Sequence, residues 1–153
     1  MKGLNTKRGG RRGGRRFERA YDGTANTLRM ARRDVVGWLG EQGFDSDLQD
    51  RAALVLSELA TNAVQASPGS AYAVCVCQPD DRSAVVAVTS RTDYEQPPPR
   101  SQWGPLSTFA PRGRGLMIVD KIADDVEVDL PNRETVVVTA TLRSSEPGSS
   151  EPG

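Results

Sequence analysis

The sequence predicts a two-layer α/β sandwich (an α+β fold), in which helices pack on one face of a mixed, mostly antiparallel sheet. Two observations support this prediction. Two adjacent segments have apolar residues at helical spacing, and two pairs of short β-rich runs flank turn-forming residues. The predicted order of elements is strand, helix, helix, strand, strand, long loop, helix, strand, strand. At 153 residues, the chain is long enough for one domain with a hydrophobic core.

The charge distribution separates a basic arm from an acidic body. Residues 1–19 contain eight Lys or Arg and one acid, whereas the remainder contains twelve Lys or Arg and nineteen acids. We expect a disordered basic tail over 1–16, one domain over 17–143 and a disordered tail over 144–153. The Arg/Gly-rich arm is compatible with contact to nucleic acid or to an acidic partner. We interpret it as a solvated tail, and expect no nucleic-acid contact through residues 1–16.

The two helical segments follow a short strand, Phe17–Tyr21, that is expected at an edge of the sheet. The first helix is predicted over Thr24–Leu39, ending at a pair of glycines. The second is predicted to start near Asp45 or Ser46 and to end at Pro68-Gly69. Apolar residues recur along both at intervals of three and four, which is typical of a core-facing helix surface.

Two hairpins supply the rest of the predicted sheet. Tyr72–Cys77 and Ala84–Thr89 are expected to be strands joined by a turn over 78–82. Val126–Leu130 and Thr135–Leu142 are expected to form a closing hairpin around residues 131–134. Hairpin partners are antiparallel, so most of the sheet is predicted to be antiparallel.

Residues 91–112 form a Pro-rich segment without periodicity, and a loop of this length in a compact domain is usually a lid, a binding loop or disordered. It leads into Arg112, Gly113, Arg114 and Gly115, after which a short helix is predicted over Leu116–Ile122. Two glycines before a helix start let backbone N–H groups approach an anion such as phosphate. The arginines would add positive charge. The alternative is a tight loop-to-helix turn without a ligand.

Glu58 and Asn62 are four residues apart in the second predicted helix and therefore share one of its faces. The amide oxygen of Asn62 could bind Mg²⁺ without adding negative charge beside a triphosphate. Glu58 could deprotonate or orient a hydroxyl group, or position a water molecule. The alternative is a polar stripe on a half-exposed helix. Together with the glycine segment, this pair favours a Mg²⁺–nucleotide site.

The composition excludes several kinds of chemistry. The chain contains no histidine, which excludes Ser-His-Asp and Cys-His catalysis and a phosphohistidine on this chain. Its two cysteines, Cys75 and Cys77, are expected to share one strand face as ordinary buried thiols in a reducing compartment. No apolar run is long enough to span a membrane, and no secretory signal is recognisable. A cytoplasmic location is therefore expected.

Two motifs together resemble those of the GHKL (histidine kinase-like) ATPase superfamily. Residues 56–63, Leu-Ser-Glu-Leu-Ala-Thr-Asn-Ala, resemble the N box of its small bacterial anti-sigma factor serine/threonine kinases. Residues 112–119, Arg-Gly-Arg-Gly-Leu-Met-Ile-Val, resemble their second glycine box. The resemblance covers about 17–143 and implies ATP bound between the helices and a mobile lid.

The same resemblance implies roles for individual residues and partners. It implies Asn62 as the Mg²⁺ ligand and Glu58 as the catalytic base. It also implies nucleotide binding by Arg112, Gly113, Arg114, Gly115 and Leu116. The usual partners of such proteins are a sigma factor and an anti-anti-sigma factor that is phosphorylated on Ser or Thr. A homodimer is a further possibility that the resemblance implies.

One position departs from the family pattern. The family has an aspartate at the end of a strand that accepts a hydrogen bond from the adenine amino group, and Ser90 stands there in this chain. Ser90 carries no charge, and Asp93 could replace the aspartate if the loop bends back. Two functions therefore remain open. One is an ATP- and Mg²⁺-dependent protein kinase, and the other is a degenerate module that binds a regulatory protein without ATP turnover.

Overall fold

The computed structural model describes residues 15–92 and 112–145, with side chains from Leu116 onward in the second range. Residues 1–14 of the predicted tail over 1–16, residues 146–153 of the predicted tail over 144–153, and Asp93 in the predicted Pro-rich loop lie outside these residues. The elements follow the predicted order: β1 Arg15–Tyr21, α1 Ala25–Glu41, α2 Ser46–Ala66, β2 Tyr72–Asp80, β3 Ser83–Arg91, α3 Arg112–Ile122, β4 Asp125–Asn132 and β5 Thr135–Arg143.

The five described strands form one sheet in the order β1-β2-β3-β5-β4, and all four neighbouring pairs are antiparallel. Alternate side chains of each strand point to the same face of the sheet, and the helices pack on that face and bury it. The predicted two-layer fold is therefore confirmed. The buried members of β2, β3, β4 and β5 are mainly small or β-branched: Tyr72, Val74, Val76, Ser83, Ala84, Val86, Val88, Val126, Val136, Ala140 and Leu142.

Helix α2 lies at the centre of the helical layer and contacts β2, β3, β5, α1 and α3. Asp45 is its N-cap, and its carboxylate accepts a hydrogen bond of 2.9 Å from the backbone N–H of Leu48. α1 ends just before Gly43, whose φ of +92° allows the chain to turn sharply into α2. The core positions of α2 recur at helical spacing: Leu48, Ala52, Val55, Leu56, Leu59, Ala60 and Ala63.

Arg51 connects the N-terminal part of α2 to the hairpin of β4 and β5. Its guanidinium donates to the backbone oxygen of Arg143 at 2.9 Å and lies 3.3 Å from the carboxylate of Asp124. Asp124 in turn accepts a 2.7 Å hydrogen bond from the backbone N–H of Arg143. This group of contacts fixes the start of α2 against the junction of α3, β4 and β5.

Several boundaries differ from the prediction by a few residues. β1 begins at Arg15 rather than at Phe17. β2 continues through Pro79 to Asp80, so the predicted turn over 78–82 is too long. Pro79 is tolerated there because the β2–β3 register shifts between Cys77 and Asp80, where a missing N–H donor costs little.

Helix α3 also starts earlier than predicted, at Arg112 instead of Leu116. Gly113 and Gly115 therefore lie in its first turns rather than before it. The low helix propensity of glycine, about 1 kcal/mol below that of alanine, is outweighed here by the tertiary context.

The prediction of buried thiols is wrong. Cys75 and Cys77 share one sheet face as expected, but it is the face that no described helix covers, and both are partly exposed and not in a disulfide. The strand period placed the thiols together, whereas helix packing decided which face was buried.

Among the described residues, no helix is long and apolar enough to cross a membrane.

Leu56 and Leu54 allow a matched test of the core. Leu56 is 1% exposed and Leu54 is 47% exposed on the same helix. We expect Leu56→Ala to lower the free energy of unfolding by about 2–5 kcal/mol, because it removes buried methyl groups and leaves a cavity. Leu54→Ala should change it by about 0.5 kcal/mol or less. Urea denaturation measures both; equal losses would contradict the packing described for α2.

Candidate functional site

A cleft opens between α2, the start of α3 and the covered face of the sheet. It encloses about 450 Å³ of space, part of which is open to solvent. Its lining comes from five elements and the residue after β3: Leu59, Asn62, Ala63, Ala66, Val88, Ser90, Thr92, Leu116, Val128, Val136 and Val138.

The periods of helix and strand explain how the lining assembles. On α2, positions 59, 62, 63 and 66 are spaced by three or four residues and form one stripe. On β3, Val88 and Ser90 alternate onto the covered face, and Thr92 continues that alternation beyond the strand end. The backbone N–H of Thr92 donates a 3.0 Å hydrogen bond to the backbone oxygen of Glu134, which fixes the residue after β3 beside the start of β5.

The cleft has apolar walls with a few polar groups. Valines of β3, β4 and β5 form one wall, and the small side chains of Ala63 and Ala66 on α2 leave room opposite them. Asn62, Ser90 and Thr92 supply the amide and hydroxyl groups. Such a slot suits a flat heterocycle that buries its faces and uses its edge for hydrogen bonds. It is chemically compatible with a nucleobase.

The residues that could hold a metal are few. Within 15–92 and 112–145, no group of three or more His, Cys, Asp or Glu residues is arranged to bind an ion. Asn62 lines the cleft and offers an amide oxygen, a ligand type that Mg²⁺ accepts. A Mg²⁺ ion bound at Asn62 would therefore take its remaining ligands from phosphate and water, which is how this ion is usually held beside nucleotides.

The other predicted site residues are not all brought to the cleft. Glu58 is partly buried and lies one turn before Asn62, about 5–6 Å along the axis of α2, and it does not line the described cleft. Leu116 of α3 does line it. Because α3 begins at Arg112, the backbone N–H groups of residues 112–115 belong to the first turn and lack acceptors within the helix.

Of the predicted nucleotide-binding residues, the structure brings together Asn62, Ser90 and Leu116, while Asp93 lies outside the described residues. The sequence analysis missed Thr92 and the valines of β4 and β5. Thr92 could have been found by extending the alternation of Val88 and Ser90 by one step. The valines could not, because their place beside α2 depends on the strand order β3-β5-β4.

Two solved structures share the fold. The RsbU and RsbW domains of Rv1364c from Mycobacterium tuberculosis match with a TM-score of 0.62 and 19% identity, over 85% of this chain and 32% of that one. The SiaB–SiaC complex from Pseudomonas aeruginosa matches with a TM-score of 0.61 and 12% identity, over 81% of this chain and 88% of that one. This chain thus spans about a third of the first structure. No curated protein matches it by sequence.

A family model provides the assignment. The model of the histidine kinase-like ATPase domain matches residues 22–142, which include α1 through most of β5 and therefore every described element that lines the cleft. The predicted resemblance is confirmed by this match. The chain belongs to the histidine kinase-like ATPase domain family.

Proposed function

We propose that this protein binds ATP with Mg²⁺ and acts as an anti-sigma factor-like serine/threonine protein kinase. The observation that carries the proposal is the cleft, in which Asn62 lies beside an apolar wall and the hydroxyl groups of Ser90 and Thr92. In this arrangement the adenine packs between the strand valines and α2. Membership of an ATPase domain family supports the choice of nucleotide.

The phosphates extend from the cleft towards the start of α3. Unpaired N–H groups at a helix N-terminus favour negative charge, and Gly113 and Gly115 add no side chain that would keep phosphate away from the backbone. Arg112 and Arg114 add positive charge there. Mg²⁺ held by Asn62 would offset the charge of the triphosphate.

Glu58 acts as the base in this proposal. Its carboxylate accepts the proton of a serine or threonine hydroxyl as that oxygen attacks the terminal phosphate, while the bond to the bridging oxygen breaks and ADP leaves. Its place one helical turn before Asn62 and beside the cleft, rather than in its lining, suits a group that contacts the incoming protein rather than the nucleotide.

The protein that receives the phosphate is, in this proposal, an anti-anti-sigma factor, and the protein that is sequestered is a sigma factor. The similar fold of SiaB, which was solved in a complex with SiaC, supports a protein partner. A homodimer is compatible with this role.

A second candidate function is a degenerate module that binds a regulatory protein without ATP turnover. Ser90 favours it, because a neutral hydroxyl in the cleft gives a weaker hydrogen bond to adenine than a carboxylate would. ATP-independent capture of the partner would support this function over the kinase.

Asn62→Ala tests the metal and nucleotide site. Loss of the amide oxygen should weaken Mg²⁺-dependent ATP binding at least tenfold, which corresponds to about 1.4 kcal/mol. Isothermal titration calorimetry with and without Mg²⁺ measures the effect. Gln65→Ala, which removes an exposed amide from the same helix, is the matched control and should bind as the wild type does. Unchanged binding by Asn62→Ala would reject Asn62 as the ligand.

Ser90→Asp tests the adenine contact. A charged acceptor should strengthen the hydrogen bond to the adenine amino group by about 1 kcal/mol, so ATP should bind roughly fivefold more tightly. GTP, which lacks that amino group, should gain nothing. Ser90→Asn is the neutral control of similar size. Competition titrations with both nucleotides give the comparison, and equal gains for ATP and GTP would rule out this contact.

Glu58→Gln separates chemistry from binding. The substitution should leave ATP affinity within about twofold while lowering phosphate transfer by about 10²–10⁴-fold, as expected for loss of a general base. Transfer of labelled γ-phosphate to an anti-anti-sigma protein from the same genome is the assay. Asp50→Asn, at an exposed carboxylate of α2, is the control. Full transfer by Glu58→Gln would exclude Glu58 as the base.

A further inference from the structure

The uncovered face of the sheet, which we call the open face, carries a pair of thiols that the proposed kinase does not use. The register places Cys75 and Cys77 on this face, next to Ala87 and Val85 of β3. The helices among residues 15–92 and 112–145 cover the other face, and both thiols are partly exposed. They are the only two cysteines of the chain.

The two thiols lie close enough to act on each other. Their Sγ atoms are 3.9 Å apart, a distance at which one S–H can donate to the other sulfur. If one sulfur is ionised, the other thiol can donate to it and stabilise the negative charge. The pair therefore favours loss of one proton and retention of the other.

Strand β1 places a cation and a carboxylate beside the two thiols. Arg16 is the direct register partner of Cys77, whereas Glu18 is the partner of Cys75. A cation opposite Cys77 favours its thiolate, and a carboxylate opposite Cys75 disfavours ionisation there. Arg16 and Glu18 also form an ion pair of 3.1 Å, which holds both charges at this edge. The β3 side chains opposite the two thiols, those of Ala87 and Val85, carry no charge.

The acidities of the two thiols agree with this geometry. The hydrogen bond from Cys75 lowers the pKa of Cys77 to about 6, with a further contribution from Arg16, against the opposing effects of burial and Glu18. The pKa of Cys75 is raised, first by its hydrogen bond to Cys77 and then by burial. Cys77 is thus the nucleophilic sulfur at neutral pH, because the thiolate is the reactive form.

We propose that Cys75 and Cys77 form a dithiol modification site on the open face, in which Cys77 exchanges with small disulfides such as oxidised glutathione. The Cys77 sulfur attacks one sulfur of the disulfide, and a new bond forms between them. The disulfide bond breaks, and the departing thiolate takes a proton from water. Cys77 is oxidised to a mixed disulfide, and half of the small disulfide is reduced to a thiol.

The product stays a mixed disulfide because the strand resists an internal one. Residues i and i+2 of an extended strand have Cα atoms about 6.6–6.8 Å apart, at the upper limit for an unstrained disulfide. Cys75 therefore remains a thiol and acts through its hydrogen bond to Cys77.

The reaction with oxidised glutathione at pH 6 distinguishes Cys77 from an ordinary thiol. Cys77 is about half ionised at pH 6, whereas a thiol of pKa about 8.5 is about 0.3% ionised. A thiolate of lower pKa is also a weaker nucleophile, so the expected advantage of Cys77 in rate is roughly tenfold. We expect Cys75→Ser, which leaves Cys77 and a hydroxyl donor, to react roughly tenfold faster than free cysteine. Cys77→Ser should react more slowly than free cysteine.

The pH profile tests the contribution of each neighbour. The rate of the full-length wild type should rise with a midpoint near pH 6. The midpoint of Cys75→Ser should lie below that of free cysteine, because its hydroxyl group can still donate to Cys77. The midpoint should move upward in Cys75→Ala, which lacks a donor, and in Arg16→Gln, which lacks the cation. Circular dichroism checks folding, and intact mass counts one glutathione per chain. Equal rates for both single-cysteine variants, a midpoint near that of free cysteine, or a wild-type mass that lacks two hydrogen atoms and carries no adduct, as an internal disulfide would give, would overturn the proposal.

Discussion

The packing of α2 across the middle of the sheet is the contact on which the rest of the structure depends. One stripe of this helix, centred on Val55, Leu56 and Leu59, closes the core against β3 and β5. The next turns of the same helix carry Asn62, Ala63 and Ala66 into the cleft. Arg51 fixes the start of α2 to the hairpin of β4 and β5, which sets the direction of the helix at this end. The core contacts set the position of the helix along the sheet. The candidate site is therefore a continuation of the core, in which small side chains leave space that larger ones fill elsewhere.

The sheet gives the molecule two chemically different sides. Alternation along β3 sends Val88 and Ser90 to the covered face and Ala87 and Thr89 to the open one. The covered face is apolar with a few hydroxyl groups, which suits a nucleobase. The open face carries thiols and, at the β1 edge, paired charges, which suits reactions of sulfur in contact with water. A single period of two residues thus produces both environments on one sheet.

The sequence predicted those features that depend on local period, and missed those that depend on tertiary contacts. The order of elements, the pairing of the hairpins and the shared face of Cys75 and Cys77 follow from spacing alone. The exposure of the thiols did not follow, because burial depends on which face the helices cover. The start of α3 at Arg112 was missed since two glycines argue locally against a helix. In the site, Asn62 and Ser90 were recognised from motifs, whereas the valines of β4 and β5 reach the cleft only through the strand order.

The two sides can act independently because of how the strands divide between them. Strand β2, which carries both thiols, contributes no residue to the cleft lining, and β3 lies between them and β5. A glutathione on Cys77 would lie on the face opposite Val88 and Ser90, so it would not enter the space proposed for adenine. Any effect on nucleotide binding would have to pass through a shift of β2 against β3, which are held by a continuous register from Ala73 to Cys77. The modification is more directly suited to changing what docks on the open face, where a bulky anionic group would stand beside Arg16 and Glu18.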